Sequence, residues 1–78
     1  MTQQELKAIM RSKARLARGL VNLLEYDTER LYTDIDELNV VRLEESIKET
    51  KRTIQQLMDA TTDIEYCLYA VGRIKPDA

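Results

Sequence analysis

The sequence predicts an all-α protein, an antiparallel two-helix hairpin that resembles a coiled coil. Three observations predict this fold. Helix breakers are scarce, with two glycines and one proline in 78 residues. Apolar residues recur at helical spacing in both halves of the chain, and one segment with turn-like composition separates these halves. A chain this short is a single domain that buries only about 60% of its unfolded surface.

Small domains are usually stabilised by disulfides, metals or association with other chains. Cys67 is the only cysteine and the chain has no histidine, which excludes an intrachain disulfide and disfavours a zinc site. The sequence also lacks a glycine-rich phosphate loop and a nucleophile beside a base. We therefore predict a non-enzymatic protein that binds no metal and no cofactor, and that is stabilised by regular helix packing and oligomerisation.

We expect the first helix over residues 3–32. Thr2 and Glu5 fit a capping box, in which each side chain satisfies an amide at the helix start. Apolar residues then recur at intervals of three, four and seven, which indicates one wide apolar stripe. The stripe consists of Leu6, Ile9, Met10, Leu16, Ala17, Leu20, Leu23, Leu24 and Leu31.

Three residues of this helix allow two interpretations each. Lys13 and Asp27 interrupt the stripe, either as rim residues whose charges reach water or as buried polar positions that set the register of packing. Gly19 is either a tolerated glycine in a helix interior or a point where a partner helix approaches closely.

Helical periodicity fails at 33–39, where we expect the connection. The second helix is predicted over 40–72, with Gly72 at its C-terminal end and a tail over 73–78. Its heptad pattern is the strongest signal in the chain, because eight of ten a and d positions are aliphatic. The a positions are Val40, Ile47, Ile54, Thr61 and Leu68, and the d positions are Leu43, Thr50, Leu57, Ile64 and Val71.

The g positions of the second helix are small, where a simple two-stranded coil would carry long charged residues. They are Ser46, Thr53, Ala60 and Cys67. Either a further helix packs against them or the pattern is sequence drift.

Both apolar stripes are too wide to be covered by a single neighbouring helix. We therefore expect the hairpin to associate through its helix faces, either with a second copy as a four-helix bundle or with helices of another protein. The predicted interface residues are Leu16, Leu20, Leu23, Leu24, Val40, Leu43, Ile47, Ile54, Leu57, Met58, Ile64, Leu68 and Val71.

Charge is distributed unevenly around a net value of −2. Residues 1–24 contain five basic residues and one acid, whereas residues 25–50 contain nine acids and three basic residues. One end of the hairpin is therefore predicted to be basic and the turn end acidic. The basic end could bind nucleic acid or an anionic surface, although a solvated outer face is favoured. This possible basic patch comprises Lys7, Arg11, Arg15, Arg18, Arg73 and Lys75.

No apolar run approaches the roughly 20 residues needed to span a bilayer. The opening residues also lack the basic and apolar regions of a signal peptide. We expect a soluble intracellular protein without membrane contact, with cytoplasm and nucleus left undistinguished.

The order of these features is similar to that in one known family. A basic opening helix (Leu6-Lys7 through Lys13-Ala14-Arg15-Leu16) leads to an acidic turn around Asp34–Leu38, and an Arg-Leu-Glu-Glu heptad helix follows from Arg42. Over residues 5–70 the chain resembles the N-terminal helical hairpin of Gag-like proteins from Pao-type retrotransposons. The resemblance implies a self-association segment of a particle-forming or domesticated retroelement protein, and it carries no functional residue across.

Overall fold

A computed structural model describes residues 1–73, except for the side chain of Arg73. The chain forms two α-helices, α1 (Gln3–Glu37) and α2 (Val40–Arg73), which pack against each other. Within the described residues there is no β-strand. The fold is therefore the predicted all-α helical hairpin.

The start of α1 has the Thr2 half of the predicted capping box, whereas the Glu5 carboxylate accepts from the Thr2 hydroxyl rather than from an amide. Thr2 has extended backbone angles, and its hydroxyl oxygen accepts a 3.1 Å hydrogen bond from the amide of Glu5. The Thr2 hydroxyl in turn donates to the Glu5 carboxylate at 3.3 Å. The cap thus satisfies one of the amides that have no partner inside the first turn.

The connection is much shorter than the predicted range of 33–39. α1 continues five residues beyond its expected end at 32, and only Leu38 and Asn39 lie between the helices. Leu38 ends α1 in the left-handed conformation (φ 50°), and its amide donates to the carbonyl of Ile35. The Asn39 side chain then accepts from the amide of Arg42 at 3.1 Å, which makes Asn39 the N-cap of α2.

The acids near the turn do not end the first helix because Asp34 is used in helix packing. Its side chain is buried, and its carboxylate accepts a hydrogen bond from the Ser46 hydroxyl of α2. This contact requires the helix to continue through residue 34.

Gly72, which we expected at the C-terminal end of the second helix, has no positive φ and lies within α2, which continues to Arg73. Of the tail expected over 73–78, residues 74–78, including Lys75, lie outside the described residues, as does the side chain of Arg73.

The hairpin is an elongated rod. Its Cα atoms extend over 63 × 15 × 13 Å with a radius of gyration of 17.8 Å, whereas a compact domain of this length would have about 11.5 Å. The accessible surface is 6463 Å², compared with about 4,900 Å² for a compact monomer of the same mass. The rod therefore leaves much of its side-chain surface without a neighbour from the same chain.

Candidate interaction surface

The seam between the two helices consists mainly of small and polar side chains. Asp27 and Asp34 of α1 are buried, as are Ser46, Thr50 and Thr53 of α2. Among residues 1–73, the buried hydrophobic residues are Leu6, Leu20 and Ala60. The interior of the hairpin therefore uses few of the large aliphatic side chains that the chain contains.

Two hydrogen-bonded pairs fix the register of this seam. Asp27 accepts a 2.6 Å hydrogen bond from the Thr53 hydroxyl, and Asp34 accepts one from the Ser46 hydroxyl. Moving from the first pair to the second advances seven residues on α1 and goes back seven on α2, as antiparallel packing requires. One step of seven residues in the opposite direction from Asp27 and Thr53 places Leu20 opposite Ala60.

The two polar residues that interrupt the α1 stripe, Lys13 and Asp27, differ in how deeply they are buried. Asp27 is 7% exposed, so it occupies the buried position that was one of its two interpretations. Lys13 is half-buried, and its amine lies 3.0 Å from the carboxylate of Asp63 on α2. Both residues belong to the seven-residue series that faces α2, with Leu6, Leu20 and Asp34.

The small g positions of α2 face α1. Ser46, Thr53 and Ala60 are buried, and Cys67 is half-buried. The helix that packs on them is the hairpin partner α1, and not a further helix as one of the two interpretations proposed. Close packing follows because small side chains allow the helix axes to approach.

The large side chains at the a positions of α2 are consequently displaced to the edge of the seam. Val40, Ile47, Ile54 and Leu68 are exposed, from 41% for Ile47 to 67% for Val40. By contrast, four d positions (Leu43, Leu57, Ile64 and Val71) are half-buried and the fifth, Thr50, is buried. The α2 face that packs on α1 is thus formed by d and g residues rather than a and d residues.

The residues predicted to form the interface differ in their exposure. Leu20 is buried within the hairpin, and the half-buried members are Leu24, Leu43, Leu57, Ile64 and Val71. The exposed members are Leu16, Leu23, Val40, Ile47, Ile54, Met58 and Leu68.

Helical geometry assigns the exposed residues to two opposite sides of the rod. Leu16 lines a shallow depression together with Gln56 and Asp63 of α2. Leu16 and its neighbour Leu23 therefore lie on a side of the rod where α2 contributes polar residues. On α2, Gln56 and Asp63 lie next to the g positions, whereas the a positions lie next to the d positions, so the a positions face the other side of the rod. We call this second side the association face.

The association face is apolar on both helices. From α1 it receives Val21 and Ile35, which are exposed, and Leu24 and Leu31, which are half-buried. From α2 it receives the exposed a positions Val40, Ile47, Ile54 and Leu68. Thr61 is the one polar a position and interrupts this row between Ile54 and Leu68. Single exposed apolar residues are common on protein surfaces, but an extended row of them on two adjacent helices marks an interaction surface.

The basic patch lies on the outer surface of α1. Lys7, Arg11, Arg15 and Arg18 are all exposed, and the first three line one shallow depression with Gln4 and Ala8. Within residues 1–73, none of the four forms an ion pair with an acid. The structure does not test whether Arg73 and Lys75 extend this patch.

The described residues hold no group of three or more acids, cysteines and histidines arranged to bind a metal ion. Neither described helix has a stretch long and apolar enough to cross a membrane.

No family model, curated protein or solved structure matches the chain. The resemblance to Gag-like proteins of Pao-type retrotransposons therefore stays a prediction from the sequence.

Proposed function

We propose that the chain is a non-enzymatic interaction module that self-associates through the association face and thereby forms a four-helix bundle. One observation carries this proposal. The most buried side chains between the helices are mainly small or polar, while the large a-position residues Val40, Ile47, Ile54 and Leu68 are exposed along one side. Burying these residues against a second copy removes apolar surface from water, which is the dominant favourable term in association.

The size of the face supports the proposal. A face about as long as the 63 Å rod and about as wide as its 15 Å cross-section is comparable with the roughly 800 Å² per partner that stable interfaces bury. Self-association is also what the resemblance to Gag-like hairpins implies. Helices of another protein would satisfy the same apolar face and are the alternative partner.

Two matched substitutions test the face. Ile54→Lys places a charge on the association face, whereas Leu16→Lys places the same charge on the opposite side, at a residue of similar exposure. Lysine is a good helix former, so both variants keep the helices. We expect Ile54→Lys to reduce the mass to one hairpin with helicity retained, and Leu16→Lys to leave association unchanged.

The measurement is sedimentation or light scattering over a range of concentrations, with circular dichroism as the check on folding. A wild-type mass of one hairpin at all concentrations would overturn self-association and leave a heterologous partner as the occupant of the face. Loss of association in Leu16→Lys but not in Ile54→Lys would place the interface on the opposite side.

A second candidate function is binding of nucleic acid or another anionic surface through the basic patch. The observation that favours it is the exposure of Lys7, Arg11, Arg15 and Arg18 without ion-pair partners among the described residues. Binding to phosphates weakens steeply as salt concentration rises, whereas association through an apolar face does not. Fluorescence anisotropy with a labelled oligonucleotide, measured between about 50 and 200 mM salt, separates the two functions.

A further inference from the structure

The two ends of the association face differ in side-chain size. Near the turn, α1 presents Leu31 and Ile35, and α2 presents Val40 and Ile47. Nearer the chain termini, the corresponding rows of α1 present Ala14, which is exposed, followed by Ala17 and Met10, which are half-buried. On α1, the side chains of the face are therefore larger at Leu31 and Ile35 than at Ala14 and Ala17.

The two ends also differ in charge. The turn half of the rod, residues 21–56, contains nine acids and five basic residues. The half nearer the termini, residues 1–20 and 57–73, contains six basic residues and four acids, and five of the basic residues lie on α1. Two of the acids in the turn half, Asp27 and Asp34, are buried between the helices, but the others remain on the surface.

We propose that two copies associate in antiparallel orientation, with the turn end of each rod against the termini end of the other. This orientation presupposes the self-association proposed above and adds its geometry. It sets the large residues near one turn against the alanines of the partner, and the acidic turn end against the basic opening of α1. A parallel pair would instead place two acidic turn ends side by side, where like charges repel.

Spin-label distances distinguish the two orientations. In a Cys67→Ala background, Asp36→Cys places a label near the turn and Gln4→Cys places one near the termini. Both positions are exposed and lie away from the association face. Helicity and mass of the Cys67→Ala protein are checked first, because Cys67 is half-buried.

The antiparallel pair predicts long distances between two Asp36→Cys labels and between two Gln4→Cys labels, approaching the 63 Å length of the rod. An equimolar mixture of the two variants is expected to show an additional short distance, from the turn of one copy to the termini of the other. Double electron–electron resonance measures all three distances.

The possible results test the antiparallel orientation and the self-association separately. Short distances between like labels at either end overturn the antiparallel pair but retain self-association. A mixture without a short distance overturns it as well, because the ends would then not lie together. A mass of one hairpin with no dipolar coupling in any sample overturns both proposals.

Discussion

The hydroxyl of Thr53 donates a 2.6 Å hydrogen bond to the carboxylate of Asp27, and both side chains are buried between the helices. The two residues are 26 positions apart in the chain, so their contact links α1 to α2. The same hydroxyl also lies 3.1 Å from the carbonyl of Glu49 in its own helix. A buried carboxylate is costly unless donors satisfy it, so Asp27 makes the hairpin dependent on this threonine.

Thr53→Val is expected to lower the free energy of unfolding by about 1–3 kcal/mol, because it keeps the shape of the side chain but removes the donor to a buried acceptor. The double variant Asp27→Leu/Thr53→Val is expected to recover most of this loss, since replacing both partners by apolar groups leaves no unsatisfied atom. Urea unfolding at one fixed protein concentration measures both effects, because association makes stability concentration-dependent.

Thr62→Val is the matched control for this pair. Thr62 is exposed on α2, so its substitution is expected to change stability by less than about 0.5 kcal/mol. If Thr53→Val were as neutral as Thr62→Val, the Asp27 contact would not contribute to the stability of the hairpin.

The two helices and their antiparallel arrangement could be predicted from the sequence, because apolar periodicity and scarce breakers depend on local spacing alone. The face of α2 that packs on α1 could not be read from the strongest heptad pattern. That pattern selects the largest aliphatic residues, whereas two buried acids on α1 select hydroxyl partners on α2. Asp34 with Ser46 and Asp27 with Thr53 therefore bring the g positions inward.

A signal for this arrangement is nevertheless present in the sequence. Leu6, Lys13, Leu20, Asp27 and Asp34 recur every seven residues on α1, and the small g positions recur every seven residues on α2. Combining the two series in antiparallel order limits the register to steps of seven residues, and the observed register pairs Asp27 with Thr53. The turn was misplaced for the same reason, since Asp34 was interpreted as a turn residue although its carboxylate is buried in the seam.

Ala60→Leu tests the close approach of the helices. Ala60 is 2% exposed and lies opposite Leu20 in the seam, so a larger side chain must separate the helices or adopt an unfavourable rotamer. We expect a loss of about 1–3 kcal/mol, which corresponds to a fall in melting temperature of roughly 4–8 °C per kcal/mol for a domain of this size.

Ala8→Leu provides the comparison, because Ala8 is exposed on α1 and leucine is nearly as good a helix former as alanine. Thermal unfolding followed by circular dichroism is expected to show little change for Ala8→Leu. Equal melting temperatures for the two variants would contradict close packing at Ala60.

Leu38→Gly tests the connection between the helices. Leu38 adopts a left-handed conformation (φ 50°) and its side chain is 77% exposed. This backbone conformation costs an L-residue about 1–2 kcal/mol, and glycine adopts it without that penalty. Because glycine also loses more chain entropy on folding, we expect a net stabilisation of about 0.5–1 kcal/mol in urea unfolding.

Leu38→Val is the contrasting variant, since a β-branched side chain is especially unfavourable at positive φ. It is expected to destabilise the hairpin relative to the wild type. A destabilising Leu38→Gly together with a neutral Leu38→Val would show that the side chain of Leu38, rather than its backbone conformation, matters at the turn.

Gly19→Ala distinguishes the two interpretations of the glycine within α1. A Cβ atom added to Gly19 would meet no atom within 4 Å, so α2 does not require glycine at this position. Alanine is more favourable than glycine in a helix interior, and we expect a stabilisation of about 1 kcal/mol in urea unfolding.

Gly19 also lies on the side of α1 that carries Leu16 and Leu23, away from the association face, so light scattering is expected to show unchanged association. If Gly19→Ala stabilised the helix but weakened association, a partner helix would approach closely at Gly19, and the interface would lie on that side of the rod.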